Sequence, residues 1–381
     1  LRSFNLLSEL SRRHAVAVAT THGPRDDPHE LAQRLRCDRS VSVPFTAPKR
    51  GGAGFLAALA RSWVSPHPVD IVKWRVPALR RAAAELIASF RPDVCVADFL
   101  TAVANLPIPA SVPVVLFEHN VEHLIWKRLG DLETRPWLKA LLAVEWRKMR
   151  RYEARACAAA RMTAAVSEQD AALLRRLAPG ARVEPIPTGV DVDHFRPNGW
   201  REAPSNVVFC GSMDWYPNED AVLHFMDAVL PLVRREVPEA SLTVVGRSPS
   251  GRLQHAAAAA GVHVTGTVGD VRPYVAAGAV FVVPLRAGGG TRLKIFEALA
   301  MSRAVVSTTV GAEGLPLVPG EHFLQADDPR DFARAVVSVL RDPGRRQALG
   351  AAGRRLVQER YSWPQVTREL EALFVEASRG G

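Results

Sequence analysis

Cysteine is scarce. Cys37, Cys95, Cys157 and Cys210 are far apart and none belongs to a CxxC pair, which excludes a disulfide framework and a closely spaced zinc site and leaves reduced thiols as the expectation. Long apolar runs are also lacking. The longest stretches, near Pro109–Phe117 and Ala276–Leu285, are interrupted or fall short of the roughly 18–20 residues a spanning helix needs. Aromatic residues make up only 7% of the chain and do not interleave with the basic runs, since Arg147–Arg161 holds Tyr152 alone. A stacking groove for nucleic acid is therefore not expected. No carboxylate cluster with metal-ligand spacing lies near the glycine-rich turns. The first residues, Leu-Arg-Ser-Phe-Asn-Leu-Leu-Ser-Glu-Leu, carry no initiator Met, apolar signal region or cleavage site and read as a chain that begins inside a helix.

What is present is enough for two domains. The 381 residues are 48% hydrophobic and 23% charged, the balance of a soluble globular protein rather than a disordered or fibrous chain. Acidic residues are the deficit: 39 against 49 Lys and Arg leave a net charge of +10. The surplus is lopsided, with 29 basic and 20 acidic residues in the first 200 positions and 20 against 19 in the remainder. Much of it lies in two helical-looking segments, Arg75–Arg81 and Arg147–Arg161. A solvated face and a surface resting on anionic lipid both account for it.

Short β-branched runs alternate with amphipathic stretches, the pattern of parallel sheets in an α/β protein. The expected strands are Ala15–Ala19, Asp93–Ala97, Val112–Phe117, Met162–Val166 and Val183–Pro187, then Val207–Cys210, Ser241–Val245, Val262–Thr265, Val280–Pro284 and Ala304–Thr308. Helical spacing over Glu219–Arg235, Lys294–Met301 and Asp331–Leu340 supplies crossovers. The turn-rich Ile186–Trp200 is the linker candidate, with a boundary near residue 195. The expected domains are 1–195, 196–362, and a closing helix over 363–381 that returns to the first domain.

Ligands of doubly wound sheets bind beyond the carboxyl ends of the strands, and four such loops of the second half contain glycine. They are Gly211-Ser212-Met213-Asp214, Gly246-Arg247-Ser248, Gly266-Thr267-Val268 and Leu285-Arg286-Ala287-Gly288-Gly289-Gly290-Thr291. In the last, consecutive glycines let backbone amides approach a phosphate, a helix begins near Thr291, and Arg292 and Lys294 add cationic donors. A diphosphate suits that chemistry. Glu297, further along the same helix, is placed to accept a pair of ribose hydroxyls. In the first half, the strand ending at Phe117 opens into Glu118-His119-Asn120, with Glu122 and His123 close behind.

In this order the segments resemble the retaining glycosyltransferases of family 4. They are FCGSMDWYPNEDAV, LTVVGRSP, the long run VTGTVGDVRPYVAAGAVFVVPLRAGGGTRLKIFEALAMSRAVVSTTVGAEGL and YSWPQV, with LLSELSRRHAVAV, LFEHNVEHLIWKR, MTAAVSEQDAALL and IPTGVDVDHF in the first half. The resemblance implies a GT-B fold, two Rossmann-like doubly wound domains facing a central cleft. It also implies metal-independent sugar transfer, with retention, from a nucleotide-diphosphate donor as co-substrate and without a cofactor. His119, Arg292 and Lys294 are carried over as catalytic. Gly211, Ser212, Gly246, Arg247, Gly266, Val268, Gly289, Gly290, Thr291 and Glu297 are carried over as donor-binding. The acceptor would be a glycan or a lipid-linked hydroxyl at an anionic membrane surface, in exopolysaccharide or other cell-surface glycan synthesis, by a cytoplasmic enzyme peripheral to the membrane.

The chain departs from the family pattern in three ways. Gly289 stands where the first glutamate of the common E-x7-E pair belongs, as in an exopolysaccharide subgroup with a similar glycine-rich run. The arginine and lysine common after the first strand of the nucleotide domain are absent, Ser212 and the neighbourhood of Asn218 standing in their place, so Arg292 and Lys294 are expected to supply those cations. The strand and glycine loop that relatives carry before a helix like Leu1–Leu10 do not precede it here, which a truncated sequence explains most simply. A sugar-nucleotide 2-epimerase of the same architecture and a non-catalytic sugar-nucleotide-binding scaffold are the rival readings.

Overall fold

The computed structural model describes residues 2–28, 33–48, 52–107, 112–287 and 293–379. The chain divides into two compact units, Leu1–Pro187 with Val366–Gly381, and Thr188–Gln365. The division falls at Pro187/Thr188 rather than near residue 195. Ile186–Trp200 is not a solvated tether, because Ile186, Thr188 and Val190 are buried. The Val190 amide donates to the Tyr361 carbonyl at 2.7 Å. A Cβ on Gly189 would come within 2.6 Å of the Trp363 ring. Prolines and glycines here shape a packed extended turn, which composition alone does not distinguish from a linker.

In the first unit, β1 (Ala17–His22) pairs in parallel with β2 (Arg39–Pro44). A second parallel sheet has the order β3 (Cys95–Asp98), β4 (Val114–Glu118), β5 (Met162–Ala165), β6 (Val183–Pro185). Its core is β4 and β5, where Val115, Leu116, Met162 and Ala164 are fully buried. β2 was not among the expected strands; its Arg-Ser-Val-Ser-Val-Pro is largely exposed and too polar to announce itself. The helix Pro136–Ala159 opens with proline in its first turn, where the missing N–H costs nothing. The helix Trp363–Arg379 is tied to the first unit by Arg13 and His14, both on Glu371 at 2.8 and 2.6 Å, and by the Arg182–Glu376 pair.

The second unit holds one parallel sheet in the order β12-β11-β10-β7-β8-β9. Its strands are β7 (Ala203–Cys210), β8 (Ser241–Val245), β9 (His263–Val264), β10 (Gly278–Val283), β11 (Ala304–Ser307) and β12 (Leu324–Gln325). Alternate side chains enter two cores: Val207, Phe209, Val280 and Val282 face one layer of helices, Val208, Phe281, Val283 and Val305 the other. Both faces of the sheet are thus covered, as a parallel sheet requires. The expected helix Glu219–Arg235 is real but interrupted. Tyr216–His224 passes through a π-helical turn at Phe225–Val229 into Leu230–Glu236. Pro231, which lacks an N–H and crowds the preceding turn, accounts for the break. Strand order reverses between β7 and β10, and that reversal is where a doubly wound sheet opens a crevice at its carboxyl ends.

Candidate functional site

The loop after β7 is built on absent side chains. A Cβ on Gly246 would lie 1.7 Å from the Gly211 carbonyl oxygen, so the ends of β7 and β8 touch backbone to backbone. The Gly211 amide donates to Val245 O at 2.9 Å, and the Met213 amide to Arg247 O at 3.0 Å. Arg247 then donates through Nε to Ser212 Oγ at 2.7 Å, and Ser212 Oγ donates to Asp214 Oδ1 at 2.5 Å. Gly211, Ser212, Gly246 and Arg247 are therefore one assembly.

Into this loop reaches a lysine from the neighbouring helix. Lys294, in the first turn of Leu293–Ala300, donates through Nζ to Asn218 Oδ1 at 2.8 Å and lies 4.5 Å over the Phe209 ring. Asn218 in turn donates to the Ser212 carbonyl at 2.8 Å. A Cβ on Gly211 would stand 2.8 Å from Lys294 Nζ. The structure places Lys294, one of the two cations expected to replace the missing arginine and lysine, beside Asn218. Glu297 follows one turn on; its carbonyl accepts from the Met301 amide at 3.2 Å, and its carboxylate makes no hydrogen bond among the described residues. Burial pushes its carboxyl above the ordinary range, opposed in part by Lys294. The adjacent Cys210 thiol is pushed up to about 12 by burial, with Lys294 lowering it and Glu297 raising it further. A thiol kept protonated in this way is a weak nucleophile.

Of the other expected contacts, Gly266 adopts a left-handed conformation with φ +69°, and Val268 packs on the core of the second unit. Gly289, Gly290, Thr291 and Arg292 lie outside the described residues. Two features went unnoticed in the sequence. Arg286 holds Asp220 in a two-pronged ion pair at 3.0 and 2.5 Å. Gly311 sits where a Cβ would meet Val283 O at 2.5 Å, while Thr308 Oγ1 donates to Leu285 O at 2.6 Å. The signal for the second was present as Thr-Thr-Val-Gly directly after β11.

In the first unit the structure separates the two candidate histidines. His123 is buried and its Nδ1 lies 2.5 Å from Glu153 Oε2. Glu153 also accepts from the amides of Glu122 and His123 at 2.7 and 3.2 Å, so this pair caps the helix Glu122–Leu132. His119, just beyond β4, has Nε2 2.6 Å from Asp98 Oδ1 at the end of β3. Its ring stacks on Phe99 with centroids 3.9 Å apart and planes 14° apart, and Phe117 lies tilted at 4.9 Å. Burial pushes Asp98 up, but hydrogen bonds from His119 and Ser3 and the charges of His119 and Arg2 outweigh it and leave its pKa below the usual range. Arg2 stands 4.5 Å over Phe117 and donates to Ile186 O at 2.6 Å, its own pKa lowered to about 10 by burial. Among the described residues no group of three or more His, Cys, Asp and Glu side chains is arranged to hold a metal ion, and no helix is long and apolar enough to cross a membrane.

Comparison with known proteins agrees with this layout. Residues 3–194 match the family model described as Glycosyltransferase Family 4, and residues 204–342 match Glycosyl transferases group 1. A GDP-mannose-dependent alpha-(1-6)-phosphatidylinositol monomannoside mannosyltransferase of Mycolicibacterium smegmatis is 30% identical over 212 residues, 49% of this chain and 54% of that protein. The chain spans about half the length of the curated relatives it matches. Among solved structures, sucrose-phosphate synthase from Thermosynechococcus elongatus superposes with a TM-score of 0.69 at 18% identity, covering 97% of this chain and 91% of that one. Anabaena HepE in complex with UDP gives a TM-score of 0.66 at 13% identity, covering 98% and 95%. The fold is thus the two-domain α/β architecture known as GT-B, and the chain belongs to glycosyltransferase family 4.

Proposed function

We propose that this protein transfers a sugar from a nucleotide-diphosphate donor to a hydroxyl of a glycan or lipid-linked acceptor, with retention at the anomeric carbon, in exopolysaccharide or other cell-surface glycan synthesis. The observation that carries the reading is Lys294, drawn across to the Gly211–Asn218 loop at the point where strand order reverses. A leaving diphosphate needs fixed positive charge where its negative charge develops. Lys294 would meet it there with the amides of the Gly211 loop, and Arg292 would add a second cation. Glu297 would accept the ribose hydroxyls as a carboxylate. Gly266 and Val268 would approach the base through their backbone. In a front-face attack the acceptor oxygen bonds to the anomeric carbon on the side from which the diphosphate departs, and the acceptor proton passes to the departing phosphate oxygen. No metal and no cofactor enters that balance. His119, held by Asp98, would be the first unit's catalytic residue.

The donor reading is supported by the mannosyltransferase relative, whose name specifies GDP-mannose, and by the UDP bound in HepE. A thermal-shift panel of GDP- and UDP-sugars tests it, because a preferred donor stabilises the fold by about 2.7 kcal/mol at a hundredfold excess over Kd. Lys294→Ala should abolish that shift and lower kcat/KM by about a hundredfold to a thousandfold. An unchanged kcat/KM would overturn the assignment. An inverted anomeric configuration in the product would overturn retention alone.

A further inference from the structure

The excess of positive charge in the first unit has a structural address. The 24-residue helix Pro136–Ala159 presents Trp137 and Val144, exposed by 63% and 45%, along one stripe at helical spacing. The same stripe continues as Arg147, Arg151 and Arg155, flanked by Arg150, all exposed. None of these four arginines has an acidic partner among the described residues, and the helix's own acids, Glu145 and Glu153, are buried. The helix Ala53–Trp63 meets it at its carboxyl end. Lys148 Nζ donates to the Ser62 carbonyl at 2.6 Å and Ser62 Oγ to Glu145 Oε1 at 3.1 Å, which fixes its carboxyl end against the middle of the long helix. That second helix exposes Leu56 (57%) and Trp63 (58%), and Val64 just after it is 89% exposed. It contains no acidic residue.

Single exposed apolar residues need no explanation, but two tryptophans and three aliphatic side chains on paired helices exceed that background. We propose that this face docks on an anionic lipid bilayer, with Leu56, Trp63, Val64, Trp137 and Val144 entering the headgroup region and Arg147, Arg150, Arg151 and Arg155 meeting lipid phosphates. Amphipathic helices of this composition lie in the interface plane, and tryptophan is at home at that depth. Charge selects this occupant over others. A second copy of the chain would set like charge against like charge in a two-fold contact. A nucleic acid would call for aromatic rings between the cations, whereas here the apolar and basic stretches are segregated. The inference deepens the reading of a lipid-borne acceptor, on which it rests for its purpose but not for its measurement.

Co-sedimentation of the whole chain with phosphatidylcholine vesicles, with and without phosphatidylglycerol, tests it. Binding should require phosphatidylglycerol and weaken as ionic strength rises from about 0.1 to about 1 M, where the screening length falls from about 10 to about 3 Å. Each surface arginine changes partitioning by about fivefold, so replacing Arg147, Arg150, Arg151 and Arg155 together by Ala should weaken it about a hundredfold or more. Trp63→Ser with Trp137→Ser should remove the binding that survives high salt. Equal binding to neutral vesicles, or undiminished binding by the arginine variant, would overturn the proposal. Self-association that the same substitutions abolish, without vesicle binding, would also overturn it and assign the face to a second copy. The nucleotide-sugar thermal shift, recorded on the same preparations, reports separately on the donor site, so failure of either reading is visible without the other.

Discussion

The carboxyl ends of β4 and β7 solve the same problem in opposite ways. Beyond β4 a large ring is clamped: His119 is held by Asp98 on one nitrogen, by Phe99 on one face and by Phe117 at a tilt. Beyond β7 side chains are cleared away, Gly211 and Gly246 touching through backbone, and a lysine from another helix occupies the space so made. A clamped side chain presents one atom in one direction. A cleared backbone presents several amides and accepts a shared cation, which suits an extended phosphate chain better than a single hydroxyl. The difference also fixes what each end tolerates: the β7 end should be intolerant of added volume, the β4 end of lost contacts.

Gly246→Ala is the most severe way to break this contrast. The new methyl would stand 1.7 Å from a carbonyl oxygen that belongs to rigid strand backbone rather than to a movable side-chain tip. Overpacking costs about 1–3 kcal/mol where neighbours can yield, and this neighbour yields least. The expected outcome is a loss of about 3 kcal/mol in chemical denaturation of the second unit, together with loss of nucleotide-dependent stabilisation. Gly269→Ala is the control, since a Cβ there meets nothing within 4 Å. Equal stability of the two variants would show that the β7–β8 contact is not tight.

A smaller effect sits behind the clamped end. Glu118, the last residue of β4, is 2% exposed and neither carboxylate oxygen has a hydrogen-bond partner among the described residues. Burial, then the charges of Glu153 and Glu122, push its pKa well above the ordinary range. A carboxyl raised in the folded state binds its proton more tightly there than in the unfolded chain, so stability falls as pH rises from the unfolded value towards the folded one. In that window the parent should lose up to about 1.4 kcal/mol per pH unit relative to Glu118→Gln. Parallel pH–stability curves for the two proteins would mean that Glu118 is ionised and partnered.

Much of the second unit was legible because its strands are short apolar, β-branched runs, and glycine directly follows β7 and β8. The expected Val207–Cys210 and Ser241–Val245 lie within or coincide with β7 and β8 for that reason. β2 was illegible because exposed Ser-Val alternation at Arg39–Pro44 lacks the apolar density of a buried strand. The choice between His119 and His123 could not be read from sequence, since both follow the same strand. Only tertiary structure puts Asp98 beside one and buries Glu153 against the other. The Lys294–Asn218 bond was half legible: the missing cations of the first loop suggested a replacement, but its partner comes from an element 76 residues away. The basic run Arg147–Arg161 was legible, but the apolar stripe was missed because Trp137 and Val144 stand out only once the buried side of the helix is known.

The mildest test returns to the clamp. Phe99 has φ 78° and ψ 149°, a region that side chains other than glycine rarely enter. Holding a phenylalanine there costs about 1–3 kcal/mol. Phe99→Gly removes that strain, but it also removes a ring stack worth about 0.5–1.5 kcal/mol and adds about 0.5–1 kcal/mol of unfolded-state entropy. The ring is 42% exposed, so little burial is lost with it. These contributions nearly cancel, and the melting temperature should shift by only a few degrees in either direction. His119 meanwhile loses the surface that keeps its plane fixed, so turnover should fall while donor-induced stabilisation, which the proposal assigns to the β7 end, stays unchanged. A large drop in melting temperature would make Phe99 a core residue. Unchanged turnover would mean that the orientation of His119 has no part in the reaction and that the strain at Phe99 serves packing alone.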